Sequence, residues 1–193
     1  SDIERVEADL LDSISIDEPL KSKLFEVLNA PSKHIRAVLA FLFLKAQGRE
    51  VDEKQIVFQS AIELVHNASL IHDDVIDESQ SRRAVQTINS KFGNKLAVIT
   101  GDYLLSVALK KIRILDAPEI IDMFAQTLDD MCQGEIKQDF SRFKIPSIEE
   151  YLEKTRLKTA KLFETAICGS FFLAKHLITK SSPLAPTGRG CHE

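Results

Sequence analysis

The sequence predicts an all-α fold, and three observations support this prediction. The 193 residues include no Trp, two Tyr, seven Gly and six Pro, a composition poor in the turn and aromatic residues of strand-rich proteins. Apolar side chains recur three and four residues apart along most of the chain, which is the spacing of one helix face. Neither Gly nor Pro interrupts residues 51–90, so a long helix is expected there.

Composition also limits the class of protein. With 44% hydrophobic residues the chain can bury the core of one domain, and its formal charge of −4 argues against nucleic-acid binding. The three cysteines, Cys132, Cys168 and Cys191, form no CxxC pair, so neither a disulfide framework nor a zinc site is expected. We expect a soluble cytoplasmic protein, because no signal peptide is recognised and the apolar run 37–44 is too short to cross a bilayer.

Two short amphipathic helices are predicted first, at residues 3–14 and 19–28, with Asp17 as the cap of the second helix. Ala30-Pro31-Ser32 then breaks the chain, and a third helix is predicted over residues 33–44. This order predicts three helices before the long fourth one.

Lys33 and Arg36 lie three residues apart at the start of the third helix and face the same way. Backbone N–H groups at a helix N-terminus favour anions, so the pair could bind one. On spacing alone, an exposed basic turn explains the pair better.

The fourth helix contains the most informative stretch, Glu63-Leu-Val-His-Asn-Ala-Ser-Leu-Ile-His-Asp-Asp-Val-Ile-Asp77. Asp73 and Asp77 are four residues apart and share a helix face, and Asp74 lies beside them. The apolar residues between the polar ones place this helix largely inside the protein. The same face carries, towards its start, His66, Ser69 and Leu70.

Three carboxylates within one and a half turns repel each other, and on a buried helix they need a cation. Oxygen ligands suit Mg²⁺, which completes its shell with water and substrate phosphates. Arg82 and Arg83 follow the acids and supply anion-binding groups. The stretch therefore predicts a magnesium–diphosphate site. For the DDxxD pattern alone, a solvated helix end neutralised by arginines is the alternative.

The remaining elements follow the same reasoning. Residues 83–94 predict a polar connection, and residues 95–114 predict a buried helix. Asp116-Ala117-Pro118 begins the next helix, and Pro146-Ser147 precedes a long helix over residues 148–179.

Within the helix after Pro118, Asp129 and Asp130 lack a third acid and do not predict a second metal site. Gly134 predicts a close contact with another helix, by the rule that small residues let helices approach. Gln133 beside it is a weaker site candidate.

The acidic stretch resembles the first aspartate-rich motif, DDxxD followed by RR, of the trans-prenyl diphosphate synthases, especially the long-chain polyprenyl members. Gly101-Asp-Tyr-Leu-Leu105, Gln133-Gly-Glu135 and Lys158-Thr159 are similar to further motifs of that family. The resemblance implies an isoprenoid-synthase-type helical bundle with a central cavity. It covers residues 33–177, and the second aspartate-rich motif does not follow. We therefore expect an incomplete, C-terminally truncated domain over residues 1–180 and a Pro/Gly-rich tail over residues 181–193.

The resemblance also implies roles for individual residues. The resemblance implies that Asp73, Asp74 and Asp77 are metal ligands, which would hold Mg²⁺ against an allylic diphosphate. Contacts with that diphosphate are implied for Arg82, Lys158 and Thr159. Contacts with isopentenyl diphosphate are implied for Lys33, Arg36, His66 and Arg83. The family motif around Lys33 has two glycines and a proline where this chain has Pro31-Ser32 and Ala37.

The implied function is a prenyltransferase that condenses isopentenyl diphosphate with an allylic diphosphate to a trans-polyprenyl diphosphate, as a homodimer or heterodimer. Transient membrane contact through the product is expected. The small residues Ala68 and Ser69 lie about 6 to 7.5 Å below Asp73, which leaves room for a product beyond C15. A non-catalytic subunit of such a synthase is the alternative. A di-iron bundle, from Glu63 and His66, and a phosphohydrolase, from His72 and Asp73, are weaker rivals.

Overall fold

The structure, a computed structural model, describes residues 1–140 and 145–180, with side chains up to residue 175. Helices make up most of the described chain, which confirms the all-α prediction. The helices are α1 Asp2–Asp12, α2 Leu20–Leu28, α3 Ile35–Ala46, α4 Glu53–Ile76, α5 Ile88–Phe92, α6 Asn94–Ile114, α7 Pro118–Phe140, α8 Ile148–Thr155 and α9 Lys161–Lys180. A π-helical turn, Arg156–Ala160, joins α8 to α9.

The bundle is built around α4. This helix of 24 residues begins at the cap Asp52, whose side chain accepts a hydrogen bond from the Gln55 N–H at 3.0 Å. It packs against α1, α3, α6 and α9. Residues on all sides of α4 are therefore buried, among them Phe58 and Leu64, both 0% exposed. A helix in this position can present side chains to cavities on more than one side.

The long helix predicted from residue 51 ends earlier than expected. Helix α4 stops at Ile76, and residues 81–86 form an antiparallel hairpin of β1 Ser81–Arg82 and β2 Val85–Gln86. Its two turn residues, Arg83 and Ala84, have φ values of 50° and 63°. Two consecutive positive φ values are what a two-residue hairpin needs. The predicted polar connection at 83–94 is thus wrong in part, since it contains β2 and α5.

Two expectations about helix starts are also corrected. Asp17 does not cap α2, which begins after Pro19 without a side-chain cap; the carboxylate of Glu18 instead accepts a hydrogen bond from the Ser22 N–H at 3.1 Å. Lys33 lies outside α3, because His34 is the N-cap and takes a left-handed conformation with φ of 43°.

The long helix predicted over residues 148–179 is interrupted by the π-helical turn. Opposite this turn, a Cβ added to Gly134 would lie 3.0 Å from the backbone nitrogen of Lys158 and 3.1 Å from Cβ of Leu157. This confirms the close helix contact predicted for Gly134. The predicted tail at 181–193 lies outside the described residues.

Helix α6 is buried on one side only. Leu104 and Ala108 are 0% exposed and pack in the core, whereas the opposite side leaves large apolar residues in contact with solvent. These are Val98, Ile99, Leu109 and Ile114. The prediction of a buried helix therefore holds for one face. None of the described helices combines the length and apolar character that a membrane span requires.

Candidate active site

Two cavities lie on different sides of the C-terminal half of α4. The first, here called the cationic pocket, has a volume of about 410 Å³. Four separate segments line it: the loop before α3 with the start of α3, the middle of α4, the hairpin turn, and α9 through Phe163. Its polar lining includes Lys33, Arg36, Glu63, His66 and Arg83. The four residues expected to contact isopentenyl diphosphate are therefore brought together in one pocket.

The electrostatics of the cationic pocket favour an anion. The Arg36 guanidinium lies over the Phe163 ring, 4.6 Å from its centroid, and its Nε has no hydrogen-bond partner among the described residues. Burial, reinforced by the positive charges of Arg36 and Arg83, lowers the pKa of His66 to about 4. His66 is thus a neutral imidazole at neutral pH, with one N–H to donate.

The second cavity, here called the acidic cavity, has a volume of about 390 Å³. Its polar lining consists of Ser69, His72, Asp73, Glu135 and Lys158. The rest is mostly apolar, from α4, α6 and α7: Val65, Ile76, Leu105, Leu128, Met131 and Ile136. A charged rim on an apolar cavity suits a ligand with a charged head and a hydrocarbon chain.

Three charged side chains meet at the rim of the acidic cavity. Lys158 Nζ lies 2.6 Å from Glu135 Oε1. Burial raises the pKa of Asp73 above its ordinary value, Lys158 opposes this shift, and the charges of Glu135 and Asp77 add to it. Lys158 occupies the π-helical turn, a distortion that is frequent at functional sites. A cation bound near Asp73 would relieve the unfavourable burial of its charge.

Asp74 points away from the acidic cavity. Its Oδ1 accepts a hydrogen bond from Arg82 Nε at 2.8 Å, and the residue is 5% exposed. Asp73 lines the acidic cavity and Asp74 does not, because the side chain of Asp74 is held by Arg82 of the hairpin. Asp77 ends α4 as an exposed C-cap.

The three aspartates expected to bind the metal therefore do not form a preformed cluster. Across the described residues, no group of three or more His, Cys, Asp or Glu side chains could hold a metal ion. This finding gives no support to the di-iron and phosphohydrolase rivals, which need several protein ligands around their metals.

Of four further predicted residues, one lines a cavity, one lies in the core and two lie on the surface. Ser69 lines the acidic cavity, and its Oγ donates a hydrogen bond to the His66 carbonyl at 2.8 Å. Ala68 is 0% exposed in the core and lines neither cavity. Gln133 is exposed, and its Nε2 donates to Asp129 Oδ2 at 2.7 Å. Thr159 is exposed and does not line the acidic cavity either.

The structure also places Glu63, His72 and Glu135 in the cavities, residues that the sequence indicated only through the two weaker rivals or as part of a family motif. The helical repeat indicates Glu135, because it follows Met131 by four residues and so lies on the same inward-packing face of α7. Gln133 does not lie on that face. Glu63 is 1% exposed among apolar neighbours, and a buried acid is an informative exception to the usual pattern.

Comparison with known proteins identifies similar chains. The profile of the family described as polyprenyl synthetase matches residues 17–186. Heptaprenyl diphosphate synthase component 2 of Geobacillus stearothermophilus is 40% identical over 147 residues, which are 75% of this chain and 45% of that relative. Solanesyl diphosphate synthase 2, chloroplastic, of Arabidopsis thaliana is 33% identical over 181 residues, 90% of this chain and 43% of that relative.

A solved structure shares the fold. Polyprenyl synthase from Caulobacter crescentus CB15, complexed with calcium and isoprenyl diphosphate, matches with a TM-score of 0.84 at 25% identity, covering 90% of this chain and 53% of that chain. This chain spans about half the length of the curated relatives it matches.

Proposed function

Because this chain belongs to the polyprenyl synthetase family, we propose that it condenses isopentenyl diphosphate with an allylic diphosphate to a trans-polyprenyl diphosphate. Membership confirms the resemblance found in the sequence, while activity and substrates are proposed for this chain on the geometry of its two cavities. The observation that carries the proposal is that one helix, α4, contributes His66 to the cationic pocket and Asp73 to the acidic cavity. Seven residues separate them, which is about 10.5 Å along a helix axis.

The cationic pocket is the proposed site of isopentenyl diphosphate. Lys33, Arg36 and Arg83 would bind its phosphate oxygens through charge-assisted hydrogen bonds, and the neutral His66 would donate one N–H. With groups from the α3 start, α4 and the hairpin turn around it, the diphosphate would be fixed in orientation. Positioning of this kind contributes much of the rate enhancement in reactions that join two bound substrates.

The acidic cavity is the proposed site of the allylic diphosphate, with Asp73 and Asp77 as ligands of a divalent cation. Their oxygens fit Mg²⁺, which is usually bound by one or two carboxylates plus substrate phosphates, so a preformed three-carboxylate cluster is not required. The raised pKa of buried Asp73 is consistent with a cation being needed there. When bound, the ion supplies neutralisation of the leaving diphosphate. Asp74 would act indirectly, by holding Arg82 at 2.8 Å.

The remaining residues of the acidic cavity would hold the substrate and exclude water. Lys158 would bind the diphosphate after exchanging its contact with Glu135, and Thr159 is proposed beside it on the resemblance alone. The apolar walls suit a prenyl chain, and the small side chain of Ser69 leaves the cavity open below Asp73. Removing water from such a site strengthens every electrostatic contact within it.

The second candidate function is that of a subunit that binds substrate but needs a partner for turnover. Two relatives named as component 2 of a heptaprenyl diphosphate synthase support it. We propose a homodimer or heterodimer, no nucleic-acid partner, transient membrane contact through the product, and a cytoplasmic location. Cys132 and Cys168, both free, agree with a reducing compartment.

One experiment on the purified chain tests both candidates. Isopentenyl diphosphate binding is measured by calorimetry in EDTA, and elongation of radiolabelled farnesyl diphosphate is then measured with Mg²⁺. Binding with elongation supports the synthase, and binding without elongation favours the subunit. Absence of binding, or equal binding by Arg36→Gln, would contradict the proposed function.

A further inference from the structure

An acid lies inside the cationic pocket. Glu63 is 1% exposed and lines the pocket beside Arg36 and His66. A buried carboxylate loses hydration and repels a diphosphate, so attraction of an anion does not account for it. Its Oε1 has no hydrogen-bond partner among the described residues, and its Oε2 lies 3.1 Å from Nδ1 of His34. The contact with His34 is therefore the feature that gives Glu63 a role.

His34 adopts an unfavourable conformation at a critical point of the chain. It is the N-cap of α3, with φ of 43° and ψ of 41°, in the left-handed region that residues with a Cβ rarely adopt. Its ring is held at both nitrogens: Nδ1 faces Glu63 of α4, and Nε2 lies 2.9 Å from Oε1 of Glu7 of α1. These contacts with two helices hold His34 in its left-handed conformation.

Both nitrogens of the His34 ring can donate only when the imidazole is protonated. The hydrogen bond with Glu63 raises the pKa of His34, and the negative charges of Glu63 and Glu7 raise it as well, whereas burial lowers it. The ring is 10% exposed, so solvent competes little for these contacts. The geometry and the raised pKa both favour a protonated His34 ring that donates one N–H to each carboxylate.

The position of His34 sets the direction of two phosphate-binding side chains. Lys33 immediately precedes it, and Arg36 lies in the first turn of α3, which begins with the hydrogen bond from the Val38 N–H to the His34 carbonyl at 2.9 Å. Ser32 Oγ accepts a further hydrogen bond from the His34 N–H at 3.4 Å. A change of the His34 backbone would therefore turn Lys33 and Arg36 relative to each other.

We propose that Glu7, His34 and Glu63 form a clamp that positions Lys33 and Arg36 around a bound diphosphate. Glu63 and His34 are positioning residues, since they act on the ligand through their neighbours. This inference rests on the proposed function of the cationic pocket. It gives Glu63 a role in that pocket, although its negative charge cannot attract a diphosphate.

The test is calorimetric titration of the 193-residue chain with inorganic pyrophosphate in EDTA. His34→Gly removes the clamp while relieving the left-handed conformation, and we expect its affinity to fall about tenfold, as for loss of one charged hydrogen bond. Glu63→Leu removes a negative charge from an anion site. The clamp predicts a similar loss for this variant, whereas charge alone predicts tighter binding.

The matched control is Asp116→Gly. Asp116 is also left-handed, with φ of 51°, but it is exposed and lies outside the cationic pocket, so its affinity for pyrophosphate should equal that of the wild type. Thermal unfolding of each variant is measured in parallel. If Glu63→Leu does not fold, Glu7→Gln on the more exposed arm of the clamp replaces it and should weaken binding by a smaller factor.

The outcomes separate the clamp from the proposed function. Wild-type affinity in His34→Gly, or tighter binding by folded Glu63→Leu, would overturn the clamp and leave the pocket's function intact. If Glu63→Leu is unfolded, wild-type affinity in Glu7→Gln overturns the clamp. A wild-type chain that binds no pyrophosphate would overturn the proposed function and the clamp with it.

Discussion

At the scale of single residues, burial decides the chemistry of the cationic pocket. His66 lies between the positive charges of Arg36 and Arg83, and its pKa of about 4 keeps it neutral at neutral pH. A neutral imidazole adds no charge to the empty pocket, which limits repulsion among the cations. A bound diphosphate would compensate that repulsion and favour the protonated ring.

The pKa of His66 can be measured by NMR titration of its imidazole resonances. We expect no titration between pH 5 and 8 in the ligand-free chain and an upward shift on addition of pyrophosphate. Because the folded pKa lies below the unfolded value of about 6.5, His66 should reduce stability as the pH falls from about 6.5 to about 4, where the unfolded state binds the proton first. Arg36→Gln should raise the pKa; a wild-type midpoint near 6.5 would contradict the burial argument.

Ser69 and Ala68 give a second prediction at this scale. The sequence offered both as determinants of product length, and the structure separates them, because only Ser69 lines the acidic cavity. In an active assembly containing this chain, Ser69→Phe should shorten the longest product. Chromatography of the prenyl products checks this. Unchanged product length in Ser69→Phe would count against the acidic cavity as the site of the growing chain.

Ala68→Phe is the comparison variant, since it should destabilise the core instead of blocking the cavity. Overpacking a filled core costs about 1–3 kcal/mol. Thermal unfolding of this variant separates the two effects, and a stable Ala68→Phe chain with shortened products would show that Ala68 also faces the substrate.

The sequence predicted some residues of the site better than others, for a physical reason. The resemblance assigned Lys33, Arg36 and His66 to the same ligand, and the structure brings them together in one pocket. A motif indicates the role of a residue without any knowledge of how the chain runs between motifs. Spacing on one helix was a poorer guide for Asp74, since its buried carboxylate is paired with Arg82 of the hairpin. No residue pattern announced the pairing of His34 with Glu63, which depends on tertiary contact.

At the scale of elements, helix positions followed from apolar periodicity, whereas two local distortions did not. The hairpin turn at Arg83 and Ala84 lacks the Asn or Gly that usually permits positive φ, so no turn pattern is recognisable there. The π-helical turn also lacks a distinctive sequence. Each of these two irregular segments contains a residue of the candidate site, Arg83 in the hairpin turn and Lys158 in the π-helical turn. Unusual backbone conformations are frequent at functional sites.

Glycines determine how closely the helices pack around α4. A Cβ added to Gly169 of α9 would overlap the ring of Phe58, which is 0% exposed in α4 and has no room to move. Ala normally stabilises a helix relative to Gly by about 0.5–1 kcal/mol. Steric overlap with a core ring should reverse that sign at this position.

We therefore expect Gly169→Ala to lower the free energy of unfolding by about 1–3 kcal/mol. Chemical denaturation measures this change. Asp122→Ala, on the exposed side of α7, is the control and should leave stability unchanged or slightly higher. A stabilised Gly169→Ala chain would show that α4 and α9 are less tightly packed than the structure has them.

At the scale of the whole molecule, the exposed face of α6 suggests where a second subunit binds. Val98 and Leu109 are 41% and 49% exposed and lie eleven residues apart, so they point in nearly the same direction on this helix. Ile99, next to Val98, widens this apolar surface. Contiguous exposed apolar surface commonly marks a protein interface, which is consistent with the proposed dimer.

Light scattering after size exclusion tests this surface. We expect a dimeric or larger wild-type species, and we expect Ile99→Asp with Leu109→Asp to shift it to monomer, because a buried unpaired charge disfavours association. Leu42→Asp, at an equally exposed apolar residue of α3, is the control and should not change the mass. A wild-type chain that is monomeric at every concentration would contradict a homodimer through α6.

The central claim is that α4 positions two diphosphates, one beside cations and one beside a carboxylate that binds a divalent ion. A crystal structure of the chain with Mg²⁺, isopentenyl diphosphate and a non-reactive thio analogue of farnesyl diphosphate tests it most directly. We expect one diphosphate in contact with Lys33, Arg36 and Arg83, and a metal-bound diphosphate at Asp73. Ligands bound elsewhere, or a metal without contact to Asp73, would contradict it.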